Sequence, residues 1–238
     1  SLQGESTHAR VVIRSVDVAE QGACTLLVAA ILSEFGRLDG ILHCAGIVAD
    51  AGFLGRPEDG LCNSLRPKAR GVENLDLASA AVDLDFFVCF SSLASSHGNP
   101  GQVDYAAANA FMDAFMDHRA QEVRKGNRRG RSLSINWPLW REGGMRGSAE
   151  SARRHQMRFG MVPISNESAL LALHRALAWS TESAVAIIEG VRTLLPLEVL
   201  DPARKLGTLE SGEATLLGSS ADDEPSVVSY LLEAVSRA

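Results

Sequence analysis

Phe86-Phe87-Val88-Cys89-Phe90-Ser91-Ser92 is the stretch that most restricts how this chain can fold. Its apolar part is short, continuous and rich in aromatic and β-branched side chains, so it reads as a strand buried on both faces. Such a strand belongs in a parallel sheet with helices on either side. Two serines end it, and Gly98-Asn99-Pro100-Gly101 supplies a turn. From Gln102 onward the alanine-rich segment Tyr105-Ala106-Ala107-Ala108-Asn109-Ala110 favours helix. Tyr105 and Asn109, four residues apart, then stack on one helix face. A hydroxyl at a strand's carboxyl end and a phenol on the next helix would face one crevice, the place where open parallel sheets bind ligands.

The remaining pattern fits that frame. Arg10 to Val18 reads as a strand ending at Asp17-Val18, and Gln21 to Phe35 as a helix stopped by Gly36. Leu38 to Gly46 is a second buried strand, Ala51 to Asn63 loop and short helix, and Leu65 to Val82 a long helix. Ser132 to Trp137 is a strand stopped by Pro138, Ser165 to Ser180 a helix with Ser165 as N-cap, and Val185 to Gly190 the closing strand. Alternating strands and helices predict a doubly wound, Rossmann-like α/β sheet with right-handed crossovers. Residues 193–225 mix prolines with a polar, acidic linker, and 226–238 regains helical periodicity through Val227, Val228, Tyr230, Leu231, Leu232 and Val235.

Phe90-Ser91-Ser92, Pro100-Gly101-Gln102 and Tyr105-Ala106-Ala107-Ala108-Asn109 together resemble the active-site segment of ketoreductase domains from modular polyketide synthases. These form a branch of the short-chain dehydrogenase/reductase superfamily. Ordinary members carry Tyr-x-x-x-Lys. Ketoreductase domains have Asn in the Lys position and bring the Lys from an earlier helix, and here Asn109 and Lys68 stand at those places. The resemblance spans about Ala9 to Gly190. It implies reduction of a carrier-bound β-ketoacyl thioester to the β-hydroxyacyl form with NADPH.

Four catalytic residues are expected from it. Ketone reduction builds negative charge on the carbonyl oxygen, which needs hydrogen-bond donors and then a proton. Tyr105 is the proton donor, and a phenol with a pKa of about 10 suits neutral pH only beside a cation. Lys68 would supply the cation, Ser92 a donor to the carbonyl oxygen, and Asn109 a hold on Lys68 or on a relay water. For the cofactor, the resemblance points to Asp17 and Val18 near the adenine, Ala45 and Gly46 at a close backbone approach, Ser91 beside the nicotinamide, and Pro138 and Leu139 along its carboxamide. His43, in the same segment as Ala45, reads as a core histidine. Asp17 has an ordinary alternative as the cap of a strand-to-helix turn.

At the family's marker positions for hydroxyl configuration, Asp50 and Pro100 resemble the type that gives the D product, His97 stands where the opposite type has Trp, and Asp104 departs from the usual Asn; together they lean to the D product. Trp140 to Arg158, rich in Gly, Arg and Met, fits a lid over the substrate. The basic run Lys125 to Arg131 reads as a solvated connection or a carrier contact. A complete dinucleotide fold opens with a Gly-x-Gly-x-x-Gly turn whose backbone meets the pyrophosphate. No such loop exists here, so the chain is expected to be the C-terminal catalytic part of the domain (1–192), lacking the first β-α-β unit. Residues 226–238 are either the opening helix of an acyl carrier protein or an amphipathic helix packing back on the body.

Composition limits the alternatives. With 238 residues the chain can bury a sizeable core, and a net charge of −6 gives no reason to expect nucleic-acid or anionic-membrane partners. No apolar run approaches the ~18–20 residues a membrane span needs. Cys24, Cys44, Cys62 and Cys89 form no Cys-x-x-Cys pair and fit reduced thiols in a cytoplasmic protein. The expected partners are an acyl carrier protein and other synthase domains. Two rival readings remain open at this point: a non-catalytic structural or carrier-docking fragment, and a free-standing short-chain dehydrogenase.

Overall fold

Phe87 and Cys89 alternate with Phe86, Val88 and Phe90 along one strand, and the computed structural model covers both of its faces. The structure describes residues 10–47, 58–99, 101–142, 153, 157, 160–191 and 227–233. In chain order the elements are α1 (Gln21–Phe35), β1 (Gly40–His43), α2 (Glu58–Ala78), β2 (Phe86–Ser92), α3 (Ala94–His97), α4 (Val103–Arg124) and β3 (Arg131–Trp137). They are followed by α5 (Asn166–Trp179), β4 (Ala184–Val191) and β5 (Val227–Glu233). The sheet order is β1-β2-β3-β4-β5; the first four strands are parallel and β5 runs antiparallel to β4. Phe86 pairs with Arg131 and Ser92 with Trp137, so β2 and β3 stay in register to their carboxyl ends.

Each face of the sheet has its own core. On one, Phe87 and Cys89 pack with Cys24 of α1, Val72 and Leu75 of α2, and Met112 and Met116 of α4. On the other, Val88, Leu133, Ile135 and Trp137 pack against Ala169 and Ala176 of α5. That is the doubly wound arrangement expected from the sequence, and continuous apolar strands are its signature.

The helix boundaries follow local chemistry. Gly36 takes the left-handed conformation (φ 76°) that ends α1, and Ser165 Oγ accepts from the Ser168 N–H at the start of α5. Helix α2 begins at Glu58, seven residues before the expected start, and accommodates Pro67 internally. Gly130, at φ 78° just before β3, touches the backbone that leads into β2. A Cβ there would lie 2.5 Å from Leu84 O. Gly130→Ala therefore combines a left-handed penalty with a backbone clash and is expected to cost about 2 kcal/mol of stability. A urea midpoint lowered at unchanged slope is the signature to look for.

Three expectations need correction. Residues 10–18 contain no strand; Arg10 and Arg14 of this segment both pair with Glu34 of α1. A strand needs a neighbour, and among the described residues β1 pairs only with β2; Val11, Val12 and Ile13 stay exposed. Residues 227–233 are a strand rather than a helix, because β4 offers an open edge and Val227, Val228 and Tyr230 suit a pleated surface. For the same reason β4 does not close the sheet; β5 lies outside it. The basic connection between α4 and β3 is solvated at Lys125 and Arg129, as the sequence suggests, while Arg128 Nε donates to Asp76 at 3.0 Å and the Arg131 guanidinium donates to the carbonyls of Leu177 and Ser180.

Candidate active site

The carboxyl ends of β2 and β3, the short helix α3, the middle of α2 and the first turns of α4 surround one place. Lys68 arrives from α2 with its side chain almost wholly enclosed (2 % exposed), and its ammonium donates to Phe90 O at 3.0 Å. The same ammonium lies 5.7 Å from the centre of the Tyr105 ring. Gly71 lets α2 come this close, since a Cβ there would sit 2.8 Å from the His43 ring and 3.0 Å from Val18. Burial holds Lys68 down to about 8, opposed by the surrounding groups. Burial, reinforced by the Lys68 charge, holds His43 down to about 4, so this imidazole is neutral at physiological pH and no proton donor.

Ser92 closes β2. The Ala94 N–H donates to its Oγ at 3.2 Å, which leaves the hydroxyl proton as what Ser92 can offer a carbonyl oxygen. Ser91 points the other way, into the protein, and its hydroxyl donates to Asn109 O at 3.3 Å. Asn109 is fully buried; its Nδ2 donates to Tyr105 O at 2.7 Å, within its own helix. Asn109 Oδ1 has no hydrogen-bond partner. Lys68 thus bonds the β2 backbone rather than the Asn109 amide.

The other expected residues fall around this cluster. Asp17 Oδ1 accepts from the Ala19 N–H at 2.9 Å, the turn cap anticipated as its ordinary alternative. Val18 O accepts from Asn74 Nδ2 at 3.0 Å, and Val18 and Ala45 line a cavity of about 390 Å³ with Leu27, Ile31, Leu38 and Leu75. None of Lys68, Ser92, Tyr105 or Asn109 lines it. Gly46 follows Ala45, half-buried. Pro138 and Leu139 continue β3, where Leu139 O accepts from the Ile164 N–H at 2.8 Å. Asp104 is buried in the first turn of α4. Asp50, Pro100 and most of the expected lid lie outside the described residues, as does the side chain of His97, whose backbone ends α3.

One carboxylate in this neighbourhood was not anticipated. Asp113, one helical turn past Asn109, accepts from Ser134 Oγ at 2.5 Å and Asn136 Nδ2 at 3.0 Å. The spacing Tyr105, Asn109, Asp113 was the available signal.

A family model described as KR domain matches residues 2–142, more than half of the chain. The chain belongs to the ketoreductase family. Its relatives include the polyketide synthase PksN of Bacillus subtilis (strain 168), 38 % identical over 187 residues, or 79 % of this chain and 3 % of PksN. The polyketide synthase ThaG of Burkholderia thailandensis is 36 % identical over 250 residues, covering 97 % of this chain and 4 % of ThaG. Among solved structures, a ketoreductase domain from the bacillaene assembly line superposes with a TM-score of 0.77 at 38 % identity, covering 80 % of this chain and 46 % of that one. This ketoreductase segment therefore spans a few per cent of the synthases it resembles and under half of the solved domain. No helix among the described residues is long and apolar enough to cross a membrane.

Proposed function

We propose that this ketoreductase segment carries the proton-delivery half of a site that reduces a β-ketoacyl thioester, presented by an acyl carrier protein, to the β-hydroxyacyl form. The observation that carries this reading is the buried Lys68 ammonium beside the Tyr105 ring, at the carboxyl end of β2. The residues fit the nicotinamide end of NADPH: an enclosed cation, a serine hydroxyl, and the buried, unmatched Asn109 Oδ1, which suits a ribose hydroxyl or a bound water. They offer nothing for its pyrophosphate, since no Gly-rich loop occurs in the sequence. When bound, the reduced nicotinamide supplies a hydride. Ser92 donates to the substrate carbonyl oxygen, where negative charge develops. Tyr105 gives its phenolic proton to that oxygen, and the nearby Lys68 charge stabilises the phenolate left behind. The Gly-rich unit would come from the parent domain, whose further strand would pair along the open edge of β1.

The test is NADPH oxidation with a β-ketoacyl thioester, by this chain alone and by the domain restored at its amino-terminal side. Only the restored domain is expected to turn over. Tyr105→Phe and Ser92→Ala in it should each lower kcat/KM by about 10²-fold or more. Undiminished turnover by Tyr105→Phe would remove the mechanism, and turnover by the chain alone would show that no further unit is needed.

A further inference from the structure

Asn136 is the next-to-last residue of β3, a strand paired on both sides, with Ser91 of β2 opposite it in one direction and Ala186 of β4 in the other. Its side chain is buried, and each hydrogen of Nδ2 has its own acceptor. One goes to Ser95 Oγ of α3 at 2.6 Å, the other to Asp113 Oδ2 of α4 at 3.0 Å. The amide therefore reaches from the middle of the sheet to the short helix beside Ser92.

That helix starts at Ala94, and only Leu93 separates it from Ser92. The Ala94 N–H donates to Ser92 Oγ at 3.2 Å, so the direction of the Ser92 hydroxyl depends on where the first turn of α3 lies. A helix of four residues has little cooperativity of its own, and no side-chain cap starts this one. Two consecutive residues of β3 hold it instead. Trp137 O accepts from the Leu93 N–H at 3.1 Å, and the Asn136 amide grips Ser95. A rigid central strand thus carries the support for a group that the chemistry needs aimed.

We infer that Asn136 is a positioning residue of the ketoreductase site: its amide latches α3 to β3 through Ser95 Oγ and so aims the Ser92 hydroxyl. The effect on turnover rests on the reductase reading; the effect on α3 does not.

Ser95→Ala tests this without emptying the buried Asn136 site, since Ser95 is half-buried and Asn136 keeps its bond to Asp113. In the 238-residue protein the change should speed amide hydrogen exchange at Leu93 and Ala94 by about fivefold, the effect of one lost hydrogen bond. Val88 and Cys89, in the middle of β2, should exchange as before. In the restored domain it should lower kcat by roughly fivefold or more at near-constant KM. Ser95→Thr, which keeps the acceptor, should restore most of the rate. The Ser92→Ala background shows how the effect travels. With the Ser92 hydroxyl gone, Ser95→Ala should lower kcat by less than about twofold further, because the two changes remove the same thing. A full further loss there, a change confined to KM, or unmoved exchange at Leu93 and Ala94 overturns the proposal. A wild-type restored domain without turnover refutes the reductase reading instead, and the exchange measurement still decides this one.

Discussion

Lys68→Met is expected to make the fold more stable and the site inactive. The side chain is enclosed, and its pKa is held at about 8 against 10.5 for a free lysine, chiefly by burial. The folded state thus binds this proton more weakly than the unfolded state does. Charged Lys68 opposes folding at every pH below about 8, and the opposition fades as pH rises from 8 to 10.5. At 1.36 kcal/mol for each tenfold, the difference is about 3 kcal/mol at pH 7. Methionine keeps a similar unbranched stem without the charge. The loss of the hydrogen bond to Phe90 O subtracts about 1 kcal/mol, leaving a net gain of about 2 kcal/mol. Denaturant unfolding of both proteins from pH 7 to 10.5 should show a gap that narrows with pH. In the restored domain the same change should lower kcat/KM by about 10²–10⁴-fold. A variant less stable than the parent at pH 7 would mean that Lys68 is not held as a buried charge.

Arg119→Met should do the opposite and threaten the fold itself. Arg119 lies on α4 with its side chain 1 % exposed, and every arm of the guanidinium is used. Nε donates to Asp76 Oδ1 at 2.8 Å, one terminal nitrogen to Ser132 Oγ at 2.8 Å and Gly130 O at 3.3 Å, and the other to Arg129 O at 2.8 Å. The group also sits 4.9 Å from the centre of the Phe87 ring. Burial lowers its pKa, with Asp76 opposing. Methionine fills part of the space but strands two carbonyls and leaves Asp76 with Arg128 as its remaining cation. Removing one member of a buried pair costs about 3–5 kcal/mol. The double variant Asp76→Leu/Arg119→Met should lose less than the sum of the two single losses. Strict additivity would mean that the pair is not coupled and that another contact accounts for the loss.

The two residues mark what the sequence could and could not say. Apolar runs and helical spacing were enough for α1, β2, α4, β3 and α5, because those elements bury faces that the pattern records directly. Lys68, Ser92, Tyr105 and Asn109 were legible only as a set of motifs, and the fold brings Lys68 to Tyr105 through the close approach at Gly71. Arg119 and Asp113 were missed because a charged residue on a helix reads as solvated unless its partners are known, and these partners come from β2, β3 and α2. Residues 10–18 and 227–233 failed for a different reason. Strand formation depends on an available neighbour: the first segment lacks one among the described residues, whereas the second finds β4.

The outer side of β1 has a material consequence. Gly40–His43 presents a line of backbone donors and acceptors with no strand beyond it among the described residues, and its own Leu42 is 47 % exposed. Such a margin is adhesive, inviting any extended peptide to zip onto it. At four residues it is only about 13 Å long. That brevity limits how firmly a stray strand can be held, and favours one that brings its own apolar side chains to fill the adjoining hollow.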